Sequence, residues 1–223
     1  MRPYPETISR TAERGIAVNK VIRNTYLLLS MTLLFSAAMA GWAVVSHARP
    51  MSWIVVLVGY FGLLFLTSAL RNSAWGLAAV FALTGFMGYT LGPVISLYLA
   101  LPNGSQIVMN ALGGTGVIFL GLSAYALVSR KDFSFMAGFV MMGILVAFLA
   151  GIGAMVFNLP GLSLAVSAMF VLLMSAYILY QTSELIHGGE TNYIMATVSL
   201  YVAIYNLFLS LLQLLAAFSG NNR

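Results

Sequence analysis

Cysteine is absent from the 223 residues of this chain, and charged side chains make up only 7% of it. The first absence excludes disulfides, thiolate metal sites and cysteine nucleophiles. The second is more telling, because the few charges are unevenly placed. Seven long stretches hold no Lys, Arg, Asp, Glu or His at all, and every one of those residues falls between them or near the chain ends. An ionisable group in hydrocarbon is costly and is normally kept only for function, so proton relays built on buried carboxylates are excluded. Also absent are His-Glu-x-x-His, Gly-x-Ser-x-Gly and the paired aspartates of an intramembrane protease, so no catalytic residue, cofactor site or metal centre is read and the chain is not expected to be an enzyme.

What is present is apolar surface. Hydrophobic residues make up 61% of the chain, and the mean hydropathy is +0.97. Crossing about 30 Å of hydrocarbon takes roughly 20 apolar residues as helix. A transmembrane barrel would show short segments of alternating polarity instead of these continuous runs. The sequence therefore predicts an all-α integral membrane protein, a seven-helix bundle. Its spans are expected near Tyr26–Val45, Trp53–Leu70, Trp75–Leu97, Ile107–Val128, Phe133–Phe157, Leu162–Tyr180 and Tyr193–Phe218. The connections are short and carry breakers such as Leu101-Pro102-Asn103-Gly104, Asn158-Leu159-Pro160-Gly161 and His187-Gly188-Gly189. They leave a basic tail at 1–24, a membrane domain at 25–219 and a terminus at 220–223.

Lys and Arg orient such a protein. Arg2, Arg10, Arg14, Lys20, Arg23, Arg71, Arg130 and Lys131 fall on one side of the expected topology, against Arg49 and Arg223 on the other. The N-terminus is thus expected in the cytoplasm and the C-terminus in the periplasm. The net charge of +5 is read as this orientation signal, and its scatter over tail and loops excludes a nucleic-acid patch. The tail has few apolar residues and is expected to be a mobile strand reaching about 80 Å from the bilayer. Arg10, Arg14 and Lys20 are its candidate partner-engaging residues.

Within the spans, small residues at four-residue spacing, Gly88 with Gly92 and Gly143 with Ala147 and Gly151, permit close helix contact inside the bundle. Pro93, beside Gly92, removes an N–H and crowds the Tyr89 carbonyl, so a kink is expected there. The last span carries Ser199, Ala203, Asn206, Ser210 and Gln213 on one face, which should point inward, with the Asn206 amide bonded to another helix. A water-lined path or ligand site is the functional alternative for that stripe. Gln181 and Glu184 share a face near the end of the sixth span, with His187 one turn on and Glu190 beyond. They are read as a solvated helix end, with a weak cation or proton-sensing site as the alternative.

Several runs carry a family resemblance: Arg23-Asn24-Thr25-Tyr26, Phe86-Met87-Gly88-Tyr89-Thr90-Leu91-Gly92-Pro93, Arg130-Lys131-Asp132-Phe133-Ser134-Phe135, His187-Gly188-Gly189-Glu190-Thr191-Asn192-Tyr193, and Leu200-Tyr201 with Asn206-Leu207-Phe208. Together they resemble a bacterial branch of the Bax inhibitor-one, or transmembrane Bax inhibitor motif, family over nearly the whole chain. The resemblance implies a seven-helix inner-membrane protein that binds, and is a substrate of, a membrane-bound ATP-dependent protease of the FtsH type, restraining its proteolysis of other membrane proteins. The family also includes pH-sensitive calcium leaks that pair two aspartates across the sixth and seventh helices. Here Gln181 and Ala203 stand at those positions, and neither can titrate.

Overall fold

The computed structural model describes the backbone of residues 5–220, with side chains from residue 16 onward. Among the described residues, seven helices are long and apolar enough to cross a membrane, as expected where lipid offers no partner to an unpaired peptide group. They are α1 (Pro5–Val45), α2 (Trp53–Leu70), α3 (Trp75–Leu99), α4 (Gly104–Ser129), α5 (Ala137–Val156), α6 (Pro160–His187) and α7 (Tyr193–Gly220). A 3-10 turn at Ser134–Met136 leads into α5.

α7 lies at the centre, packed against α6, α4, α1 and α3. Tyr201, Leu200, Ala203, Leu207 and Leu212 on it are buried, and Leu29, Val80, Leu83 and Ile178 come to them from three other helices. α2 and α5 are peripheral. α2 packs mainly on α3 and buries Thr67 alone, while α5 lies along α6. Their outward Phe65, Phe139, Met142 and Leu149 are exposed, as lipid-facing side chains are.

The small residues act within the chain. A methyl group at Gly88 would strike the Ser36 carbonyl, and one at Gly92 would strike the Ala43 side chain, so α1 and α3 meet nearly backbone to backbone. Gly143 faces Leu173 of α6 in the same way. Pro93 sits inside α3, whose assigned helix runs unbroken past it to Leu99.

Two helices run a turn or more beyond their expected spans at the same end of the bundle. α6 runs on to His187, seven residues past the expected end at Tyr180, and stops where Gly188 takes the left-handed conformation at φ +76°. A side chain is strained there, which is why glycine ends the helix. α1 extends back to Pro5, so the backbone of 5–24 is helical where a strand was expected. Adding turns to an existing helix needs no new nucleus, so the segment is helical without the apolar burial that it would need to fold alone. Val21 and Ile22 also pack against the core, and the Val18 side chain lies beside Gly188.

Candidate functional site

Of the polar groups singled out in the sequence, Gln181, Glu184, His187 and Glu190 gather at the end of the bundle where α6 finishes. There the α6–α7 connection is a built turn. The Gly189 and Glu190 amides donate to the Glu184 carbonyl at 2.9 and 3.3 Å, and the Glu184 carboxylate folds back over Gly189 so closely that a methyl group on that residue would strike it. Glu190 Oε1 accepts the Asn192 amide at 2.7 Å. Asn192 then caps α7, its Oδ1 accepting from the Ile194 and Met195 amides at 3.0 and 3.1 Å. Its Nδ2 donates to the Arg71 carbonyl and to Asn72 Oδ1, both at 3.0 Å, tying the turn to the α2–α3 connection. His187 is exposed, with Nδ1 2.9 Å from the Ser183 carbonyl. Among the described residues, no three His, Asp or Glu side chains converge as metal ligands would.

A second knot fastens the α4–α5 connection. Ser183 Oγ accepts the Phe133 amide at 3.0 Å and lies 3.3 Å from the Lys131 carbonyl. Asp132 Oδ1 accepts the Ser134 amide at 2.8 Å. That bond, then one from the Ser134 side chain, then the nearby His187, hold the Asp132 carboxyl below its ordinary range. Deeper in, Thr182 lies 3.4 Å from the Tyr26 hydroxyl and 3.5 Å from Ser123 Oγ, joining α6 to α1 and α4.

Gln181 is buried, which corrects the reading of it as part of a solvated helix end; Glu184 is half-buried beside it. Ala203 is fully buried on α7. An amide and a methyl group thus occupy these interior positions, and neither exchanges a proton near neutral pH.

Along α7, Ser210 is buried and Asn206 half-buried. The Asn206 amide donates to the Val202 carbonyl of its own helix at 2.8 Å, not to a neighbouring helix as expected. The i−4 carbonyl of a helix lies within reach of a short polar side chain. Gln213 does cross, donating to Ser163 Oγ at 2.6 Å and accepting from Ser167 Oγ at 2.7 Å on α6. Lys20 is exposed on α1. The side chains of Arg10 and Arg14 lie outside the described residues.

The stripe misses a buried polar contact that joins three helices. Tyr201 of α7 shares a 2.5 Å hydrogen bond with Ser36 of α1 and lies 3.3 Å from the Thr84 carbonyl of α3, so one phenol joins three helices. The Asn192 cap was legible as a polar residue directly before an apolar run. Tyr201 had no such signal, because a tyrosine in an apolar span reads as an apolar residue.

The family model described as inhibitor of apoptosis-promoting Bax1 matches residues 18–220. An uncharacterized protein of Pseudomonas aeruginosa is 54% identical over 92% of each chain. The protein named modulator of FtsH protease YccA in Escherichia coli is 50% identical over 90% of this chain and 91% of its own. An uncharacterized membrane protein of Vibrio cholerae is 42% identical over 97% of both chains.

Proposed function

Because the chain belongs to the Bax inhibitor-1 family, which its whole membrane-spanning part matches, we propose that it modulates the membrane-anchored ATP-dependent protease FtsH, binding it as a substrate and so restraining its action on other membrane proteins. The chain is a multi-pass inner-membrane protein. The observation that carries the functional reading is the 50% identity, over nine-tenths of the chain, to a relative named for modulating FtsH. The buried sites add to it: Gln181 and Ala203 carry no titratable group, which leaves the family's carboxylate-pair leak without its switch.

The charge split supports a cytoplasmic N-terminus, which puts Lys20, Arg23 and the extension of α1 on the side of the protease's ATPase ring. As helix, residues 5–24 extend about 30 Å at 1.5 Å per residue, less than half the reach of a strand. A pulling ATPase engages a terminus held by few contacts most readily. In this reading Arg10, Arg14 and Lys20 form the grip, and the helices below give prolonged contact with the membrane part of the protease.

Deleting residues 2–15 separates the two parts, since Lys20 and Arg23 remain to orient α1. The shortened chain should insert, persist in cells, co-purify with FtsH and inhibit it longer than the full chain. Unchanged turnover, with no protease in the purified complex, overturns the proposal. Ser129→Cys should be shielded from an impermeant thiol reagent in intact cells while Ser105→Cys and Ser219→Cys react, and the reverse pattern overturns the orientation.

A further inference from the structure

A cavity of about 530 Å³ lies between α1, α3, α4 and α7. Ala37, Gly41 and Val45 line it from α1, Leu112 and Gly116 from α4, and Phe208 from α7. α1 and α4 both pack on α3 and α7 without forming a substantial contact with each other, so the cavity opens sideways between them. Its size suits a small hydrophobic ligand.

The lining carries no Lys, Arg, His, Asp or Glu, and its hydroxyls are largely engaged. Ser36 and Tyr201 bond each other, and Thr115 donates to the Ala111 carbonyl at 2.7 Å. An apolar cavity whose polar groups are satisfied does not hold water. The helix faces on either side of the opening are apolar and exposed, with Leu34 on α1 and Val117 and Leu120 on α4. At that depth the neighbouring molecules are hydrocarbon chains.

We propose that this cavity is a binding site for one acyl chain of a phospholipid from the surrounding bilayer, entering between α1 and α4. The Arg49 side chain fits the rest of that molecule. The turn after α1 folds back on the helix end through the Ala48 amide, which donates to the Ala43 carbonyl at 2.9 Å. Arg49 follows at once and is exposed, four residues beyond Val45 at the rim. A cation there faces the headgroup layer of the leaflet whose chains reach the opening, and it complements a phosphate.

The test uses the full chain in nanodiscs of phosphatidylethanolamine and phosphatidylglycerol, with a trace of phospholipid carrying a photoreactive diazirine on its acyl chain, followed by native mass spectrometry after extraction in mild detergent. Crosslinks should concentrate on Ala37, Gly41, Leu112 and Gly116, and about one phospholipid should stay bound per chain. A side chain added at Gly41 or Gly116 enters open space, with nothing within 4 Å of a new Cβ. Gly41→Leu with Gly116→Leu should therefore cut retention about tenfold or more while leaving thermal unfolding unchanged. Gly113→Leu, equally unobstructed but outside the cavity lining, should retain lipid as the parent does. Retention unaffected by filling overturns the proposal. So does crosslinking that is as dense on α2 and α5 as at the cavity, the pattern of annular lipid only; this readout needs no variant to fold.

Discussion

Tyr201 and Ser36 are 165 residues apart in sequence and 2.5 Å apart in space, where the phenol of α7 meets the hydroxyl of α1. Both are buried, and the phenol also lies 3.3 Å from the Thr84 carbonyl. Tyr201→Phe keeps the ring and leaves Ser36 without this partner, so it should destabilise the bundle by about 1 to 2 kcal/mol. Chemical unfolding in detergent measures this. The double variant with Ser36→Ala should cost less than the sum of the two single changes, because each removes the same bond.

Asn192 serves two elements with one side chain. Asn192→Ala removes the α7 cap and both ties to the α2–α3 connection, and should cost about 1 to 2 kcal/mol. Asn192→Asp keeps the accepting oxygen and loses the donor, so it should fall between. Hydrogen exchange at the Ile194 and Met195 amides separates the two roles: it should quicken in the alanine variant and stay slow in the aspartate one.

Gly88 and Gly121 make opposite predictions from the same substitution. A methyl group at Gly88 strikes the Ser36 carbonyl, while one at Gly121 meets nothing within 4 Å. Gly88→Ala should therefore destabilise by about 1 to 3 kcal/mol through forced separation of α1 and α3. Gly121→Ala should be neutral, or stabilising by up to about 1 kcal/mol through helix propensity. Equal melting temperatures for the two variants would show that the α1–α3 contact gives way freely.

Ion flux is expected to be small and insensitive to pH in the unaltered chain, because neither Gln181 nor Ala203 titrates. Gln181→Asp combined with Ala203→Asp should introduce a pH response in divalent-cation flux into liposomes, through the titration of two carboxyls placed at buried positions. A steep pH response already present in the unaltered chain would contradict this account.

The seven spans were legible because lipid imposes the same demand on every residue of a crossing helix, and the apolar runs record it directly. The end of α6 was not. Gln181 to His187 are mostly polar and read as the edge of the membrane, yet Gln181, Thr182, Ser183 and Leu185 are buried by contacts with other elements that no local window contains. The polar stripe of α7 was half legible: Gln213 bonds across to α6, whereas Asn206 turns to its own backbone. Periodicity identifies a face and not the partner opposite it. The helical backbone of residues 5–24 was missed because composition describes a free segment, and this one is covalently continuous with a stable helix.

The central place of α7 has a consequence for synthesis. It leaves the ribosome after the six helices it touches or holds together, so those six are inserted while the position it will fill is still open. Until Tyr193 to Gly220 arrive, the Ser36 hydroxyl and the Thr25 carbonyl lack their α7 contacts, and the inner faces of α1, α3, α4 and α6 have only one another or lipid to pack on. Assembly is thus completed from the inside, by its latest helix, and a chain broken anywhere before Tyr193 is left without its axis rather than merely without an edge.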